Sequence, residues 1–201
     1  MFRFSHLRTK QSLSVVLCAA VFGLFALPAT AGPSSQKAFA QDLDGKPLDP
    51  FTVSSGRIVV LLFVRTDCPI SNRYAPVLQK LSEKFRDKAN FWLVFPDRTE
   101  TASQIKTFLQ DYHYSIPALR DANHFLVQSA QATITPESAV FDSSGRLLYH
   151  GRIDNWYEDF GRSRPTATTH ELDDAITSAI AGRPIHPDHA NAVGCYISDL
   201  K

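Results

Sequence analysis

Seven apolar residues in a row, Ile58-Val59-Val60-Leu61-Leu62-Phe63-Val64, constrain this chain more than any other feature. The run is rich in β-branched types and is flanked by Gly56 and Asp67. A half-buried strand would alternate with polar residues, and this one does not. It reads as a central strand covered on both faces, and such a strand needs a layer of structure on each side of its sheet.

The rest of the chain supplies those layers. Residues 76–85 carry Val77, Leu78, Leu81 and Phe85 at helical spacing. Residues 91–95 form a second buried-strand run, stopped by Pro96. Ile105, Phe108 and Leu109 give residues 101–112 one apolar face, which predicts an amphipathic helix. Two strands, 138–141 and 146–153, flank the turn Asp142-Ser143-Ser144-Gly145, and Asp44-Gly45 marks an earlier hairpin within 39–48. Thr168 and Glu171 have the spacing of a capping box for a last helix. Its stripe is Leu172, Ala175, Ile176 and Ala179, and Gly182 closes it. The order strand, helix, strand, helix, strand, strand, helix is that of an α/β sandwich on one sheet.

The first residues follow a different logic. Arg3, Arg8 and Lys10 precede an apolar run at 13–27, broken only by Ser14 and Gly23, and Ala29-Thr30-Ala31 follows. This is the layout of a secretory signal peptide, 1–31, cleaved after Ala31. The run is short against the roughly 20 residues of a membrane span, so the expectation is an exported protein, periplasmic or extracellular, and not an integral membrane protein. A net charge of +1, with Arg and Lys dispersed, gives no reason to expect nucleic acid as a partner. Of three cysteines, Cys18 leaves with the leader, and Cys68 and Cys195 remain. Two cysteines in an exported chain form one disulfide, bind a metal, or leave a reactive thiol.

Cys68 follows the central strand and precedes a helix. At that turn a thiol meets the positive end of the helix dipole and free backbone N–H groups, which favour the nucleophilic thiolate. Arg65 and Asp67 flank it, with opposite electrostatic effects. Residues 154–167 form a loop rich in Trp156, Tyr157, Phe160, Arg162 and Arg164, suited to an anionic or peptide substrate or to a solvated cover. His186-Pro187-Asp188-His189 has metal-like content, but Pro187 breaks its spacing, and no metal is assigned to it.

The segment from Leu62 through Cys68-Pro69-Ile70-Ser71 to Tyr74-Ala75-Pro76 resembles the active-site segment of thioredoxins: a hydrophobic strand, Cys-x-x-Cys, and a helix with a proline eight residues after the first cysteine. That register aligns Cys68 with the first cysteine and puts Ser71 where the second would be. Thr135-Pro136, followed by the apolar strand to Phe141, resembles the loop in which a cis-proline faces the active cysteine and offers backbone to a bound peptide. Cys68-Pro69 with the late Gly194-Cys195 is similar to a peroxiredoxin-like branch of the redoxin superfamily that keeps only the first cysteine. The resemblance covers residues 38–198. It does not extend to the peroxidatic motif Pro-x-x-x-Thr-x-x-Cys, whose positions fall on Val64, Cys68 and Ser71.

The resemblance implies a thioredoxin-like domain over 32–182, a central mixed sheet with helices on both faces, and a tail, 183–201, carrying Cys195. It implies a thiol–disulfide oxidoreductase without a cofactor, acting on protein thiols or disulfides or on a small oxidant. Cys68 would be the nucleophile and Cys195 the resolving cysteine. Ser71, Thr135 and Pro136 would complete the catalytic site, and Arg65, Trp156, Tyr157, Arg162 and Arg164 would border the substrate. From Gly182 the extended chain reaches roughly 43 Å, enough to bring Cys195 to Cys68. Two alternatives stay open. Cys68, with His124 or Cys195, binds a soft metal such as Cu(I), or Cys68–Cys195 is a structural staple in a non-catalytic domain.

Overall fold

The computed structural model describes residues 40–198 and 200, so the expected leader at 1–31 lies outside the described residues. The expected central strand is β3, Ile58–Phe63, at the middle of an eight-stranded mixed sheet. On one side it pairs in parallel with β4, Ala89–Phe95, which pairs in parallel with β5, Ala118–Arg120. On the other side it pairs antiparallel with β7, Glu137–Phe141, which forms a hairpin with β8, Leu147–Gly151. The early hairpin, β1 Ala40–Gln41 and β2 Pro47–Leu48, joins the β5 edge.

Side chains of β3 alternate between faces, and both faces are apolar because both are covered. Val60 and Leu62 share one core layer with Tyr74, Leu78, Leu81 and Phe85 of helix α2, Pro69–Phe85, once α1 (Pro50–Val53) has been passed. Ile105 and Phe108 of α3, Ala102–Asp111, belong to the same layer. So do Leu172, Ala175 and Ile176 of α5, Glu171–Ile180, the last helix. Val59, Leu61 and Phe63 face the other layer, with Leu126, Val127 and Ala130 of α4, Phe125–Ala130. Each fully buried Val, Leu, Ile or Phe among them contributes about 1.5–3 kcal/mol.

Two expectations need correction. The helix placed at 76–85 runs back to Pro69, which leaves Pro76 internal. Pro69 sits in the first turn, where a missing N–H costs nothing, and Ile70, Tyr74 and Ala75 extend the buried face. The capping box of Thr168 and Glu171 does not form, and the N-cap of α5 is His170. The Glu171 carboxylate is held instead by Arg152 and by the Thr169 hydroxyl (2.6 Å), and Thr168 exchanges hydrogen bonds with Asn155. The arginine offers this carboxylate a cationic partner with two N–H groups.

The chain after α5 returns to the domain twice. β11, His189–Ala190, pairs in parallel with β8 at the sheet edge. β12, Cys195–Tyr196, pairs antiparallel with β6, Ile134–Thr135. A glycine permits each approach. A Cβ on Gly151, whose φ is +139°, would overlap the Ala190 carbonyl, and one on Gly194 would overlap the Thr135 carbonyl and the Ile134 side chain. No helix among the described residues is long and apolar enough to cross a membrane.

Candidate active site

The turn between β3 and α2 is tied from several directions. The Thr66 N–H donates to Glu100 Oε1 at 2.6 Å. The Arg65 guanidinium reaches Asp67 at 2.9 Å and Asp97 at 3.2 Å, and donates to the Tyr196 carbonyl at 3.4 Å. Ser71 is fully buried, and its Oγ accepts from the Arg65 N–H at 3.5 Å. Cys68 is the N-cap of α2, with extended φ −86° and ψ 112°, and its side chain has no exposed surface.

Facing this turn is the Thr135–Pro136 peptide, which is cis. The Thr135 carbonyl oxygen lies 3.2 Å from Cys68 Sγ. Cys68 and Cys195 form a disulfide with a Cα–Cα distance of 6.1 Å across a sequence separation of 127. Cys195 stands opposite Thr135 in the β6–β12 register, and Thr135 Oγ1 donates to the Cys195 carbonyl at 3.2 Å. The Ile197 N–H adds a bond to the Thr133 carbonyl at 3.0 Å. Glu137, buried just after the cis-proline, accepts from the N–H groups of Thr133 (2.8 Å) and Ile134 (3.2 Å) and so shapes this loop.

Buried charge surrounds the site. Burial pushes the Glu100 carboxyl up, against its bonds from Thr66. Burial acts the same way on Asp97, but the hydrogen bonds from Thr99 and the Arg65 charge outweigh it and hold this carboxyl below its ordinary range. For the reduced Cys68 two effects oppose each other. The end of a 17-residue helix favours the thiolate. The Thr135 carbonyl favours the thiol, whose S–H it can accept.

The loop at 154–167 approaches from the Cys195 side. It contains a small hairpin, β9 Tyr157–Asp159 and β10 Arg162–Ser163. Trp156 packs edge-on against Tyr74 at 5.5 Å, Arg73 lies 5.3 Å over its ring, and its Nε1 donates to the Arg164 carbonyl at 3.0 Å. Tyr157 is buried 5.4 Å from Trp156. Arg164 donates to the Asn155 carbonyl (2.6 Å) and pairs with Glu158 (2.9 Å), and Arg162 pairs with Glu158 at 3.2 Å. These residues therefore engage one another and α2. The loop reaches the disulfide through Asp159 and Phe160, which with Ile134, Val193, Gly194, Cys195 and Tyr196 line an open groove of about 570 Å³.

The histidines lie elsewhere. His124 is the N-cap of α4 at φ 59°, with Nε2 3.0 Å from the Pro96 carbonyl oxygen. His189 stacks on His150 of β8 with ring centroids 4.3 Å apart, and His150 Nδ1 is 3.6 Å from Glu137 Oε1. Among the described residues, no group of three or more His, Cys, Asp or Glu side chains is placed to hold a metal ion. Glu100, Asp97, Glu137 and Asp159 were not singled out in the sequence. Glu100 and Asp97 reach the site through long-range contacts to Thr66 and Arg65, and Glu137 through the short loop that holds the cis-proline.

Residues 56–147 match a family model described as thioredoxin-like. No curated protein matches the chain. Among solved structures, a conserved protein of Geobacillus kaustophilus superimposes with a TM-score of 0.65 at 20% identity, over 79% of this chain and 86% of that one. A hypothetical protein of Sinorhizobium meliloti 1021 gives the same TM-score and identity over 79% of this chain and 88% of its own. A thiol:disulfide interchange protein of the thioredoxin family from Chlorobium tepidum TLS gives 0.52 at 17% identity, over 71% and 92%. At these identities the likeness is one of fold. The chain has the thioredoxin-like α/β fold, a large mixed sheet between helical layers.

Proposed function

We propose that the protein is a thiol–disulfide oxidoreductase acting outside the cytoplasm, with Cys68 as nucleophile and Cys195 as resolving cysteine. The observation that carries this reading is the disulfide between the N-cap cysteine of α2 and the tail, closed beside cis-Pro136. In the reduced protein the Cys68 thiolate attacks one sulfur of a partner disulfide. The partner's S–S bond breaks, a mixed disulfide forms on Cys68, and the other partner sulfur leaves as a thiolate. The Cys195 thiolate then attacks Cys68 Sγ, the partner's second sulfur departs with its electron pair, and the Cys68–Cys195 bond remains.

The residues around the pair take roles consistent with this. Ser71 stands where a local resolving cysteine would be, and its hydroxyl is committed to the Arg65 N–H, so a distant cysteine is needed. Thr135 aligns β12, and Arg65 ties the turn to the Tyr196 carbonyl. We assign the 154–167 loop to the border of the substrate site, with Phe160 in the groove and Trp156, Tyr157, Arg162 and Arg164 as its support. Export rests on the leader at 1–31 and on the compartments in which disulfides persist. Placement in the peroxiredoxin-like branch rests on Cys68-Pro69 and Gly194-Cys195 and is supported by the bond joining these two cysteines. A small oxidant that converts Cys68 to a sulfenic acid, resolved by Cys195, is a variant of the same chemistry.

The second reading, a structural staple, is favoured by the full burial of Cys68 and the two strands that dock the tail. Closing so long a loop is worth about 4–5 kcal/mol in the chain-entropy model. Copper binding requires the reduced pair, because each sulfur here is bonded to the other. Recovery of Cys195→Ser from its native compartment decides among the three. The expected result is a long-lived mixed disulfide between Cys68 and a partner. Equal loss of stability in Cys68→Ser and Cys195→Ser, with no trapped partner, would establish the staple.

A further inference from the structure

We propose that the thiol that recharges the oxidised protein attacks Cys195 and not Cys68, so that the two halves of the cycle use different sulfurs. This rests on the oxidoreductase reading above. Disulfide exchange is an in-line displacement, and three things select the sulfur attacked: access, the environment of the incoming thiolate, and the stability of the departing one.

Access differs between the two residues. Cys68 has 0% exposed surface and belongs to the core layer of Val64 and Tyr74. Cys195 is half-buried and lines the open groove of about 570 Å³. Phe160 (63% exposed) and Tyr196 (78% exposed) stand at that groove. The electrostatic environment agrees. The Thr135 carbonyl oxygen, 3.2 Å from Cys68 Sγ, turns lone pairs toward any anion approaching that sulfur. As leaving group Cys68 is favoured by its helix, against the opposing pull of the Thr135 carbonyl beside it. Cys68 departs as an anion at the N-terminus of a 17-residue helix with no acidic residue in its first turn. Departure of Cys195 would put the anion on a two-residue strand.

The reductant is a dithiol. Its first thiolate attacks Cys195 Sγ, the Cys68–Cys195 bond breaks, and a bond between donor sulfur and Cys195 forms. Cys68 takes the electron pair. The donor's second thiolate then attacks the donor sulfur of the mixed disulfide, and Cys195 leaves and takes a proton from water. The donor is oxidised to its disulfide, and the protein is reduced to two thiols. The covalent tie of the tail is then gone, which opens Cys68 to the acceptor. Donor and acceptor are thus captured on opposite cysteines.

The test uses the oxidised wild-type chain and reduced glutathione, a monothiol that cannot complete the second step. Samples are acid-quenched at successive short times, and the glutathione adduct is located by peptide mass spectrometry. Extrapolated to zero time, Cys195 is expected to carry the larger share of adduct, by about ten-fold, because access and the leaving group both select it. Adduct on Cys68, or equal amounts on both, overturns the proposal. In that event a partner trapped on Cys68 by Cys195→Ser would leave the oxidoreductase reading standing. A disulfide that resists both glutathione and dithiothreitol until the protein is denatured overturns this proposal and the oxidoreductase reading together.

Discussion

The two cysteines of the site are built by opposite means. Cys68 sits on a contiguous unit, a strand and a 17-residue helix whose apolar residues lie within one short stretch of sequence. Cys195 sits on a two-residue strand, held by two backbone pairings and by two glycines far apart in the chain. A core unit of the first kind is held by buried packing on every side and hides its cysteine. A docked segment of the second kind is held by two short strand pairings and places its cysteine beside a groove. The difference teaches where a redox centre can store its movable part: on the side that can be released without unfolding the domain.

The largest effect should come from the first region. Leu78, with no exposed surface, packs α2 onto the sheet. Leu78→Ala should cost about 2–5 kcal/mol, read from urea unfolding of the oxidised protein with the slope unchanged. A loss under about 1 kcal/mol would mean that α2 is not the rigid side.

Next comes the seating of the tail. Gly194→Ala places a methyl group against the Thr135 carbonyl and the Ile134 side chain. Overpacking of this kind costs about 1–3 kcal/mol, and it should fall on the disulfide-bonded state alone. The equilibrium with glutathione should shift toward the reduced pair by about 10- to 100-fold, while the stability of the reduced domain changes little. An unchanged equilibrium would show that the close approach at Gly194 does not seat Cys195.

The reduced thiols sharpen the contrast further. Alkylation rate against pH should give Cys68 a midpoint below the free-cysteine value of about 8.5, because α2 favours its anion. The nearby Thr135 carbonyl limits the fall. Cys195, on a strand with no helix behind it, should titrate near about 8.5. A Cys68 midpoint above that of Cys195 would remove the basis for Cys68 as nucleophile and leaving group.

The same division explains what could be read in advance. The run at 58–64 and the spacing from Cys68 to Pro76 are local signals, and they led to the sheet, to α2 and to the place of Cys68. The helix start differs because a proline ordinarily marks a first turn: Pro69 holds that place, while Pro76, on the exposed side, lies inside the helix. The capping box failed because Arg152, 19 residues from Glu171, offered a charged partner. The tail gave one clue, Gly194 before Cys195. Its strands β11 and β12 are two residues each, too short for any periodicity to register. The bond from Thr66 to Glu100 and the Arg65–Asp97 pair join residues more than 30 apart and leave no local pattern.

The smallest expected effect concerns the joint between β11 and β8. There the His150 N–H donates to the Asp188 carbonyl and the Arg152 N–H to the Ala190 carbonyl. The His150 ring stacks on His189 beside Glu137, and its Nδ1 is buried without a hydrogen-bond partner. Burial and the neighbouring His189 charge hold the His150 pKa below its ordinary 6.5, against the opposing pull of Glu137 and Asp188. A depressed pKa in the docked state means that the undocked state binds more protons, so His150 stabilises docking above about pH 6.5 and loses that contribution as pH falls through its lowered value. The change should be under about 1 kcal/mol at a site this close to solvent. Hydrogen exchange across 186–197, corrected for the intrinsic pH dependence, should therefore lose protection between pH 7.5 and 5.5 in the wild type and stay level in His150→Gln. Equal loss in both proteins would place the acid-sensitive contact elsewhere. No loss in either would mean that the tail is held at that joint by its backbone bonds alone.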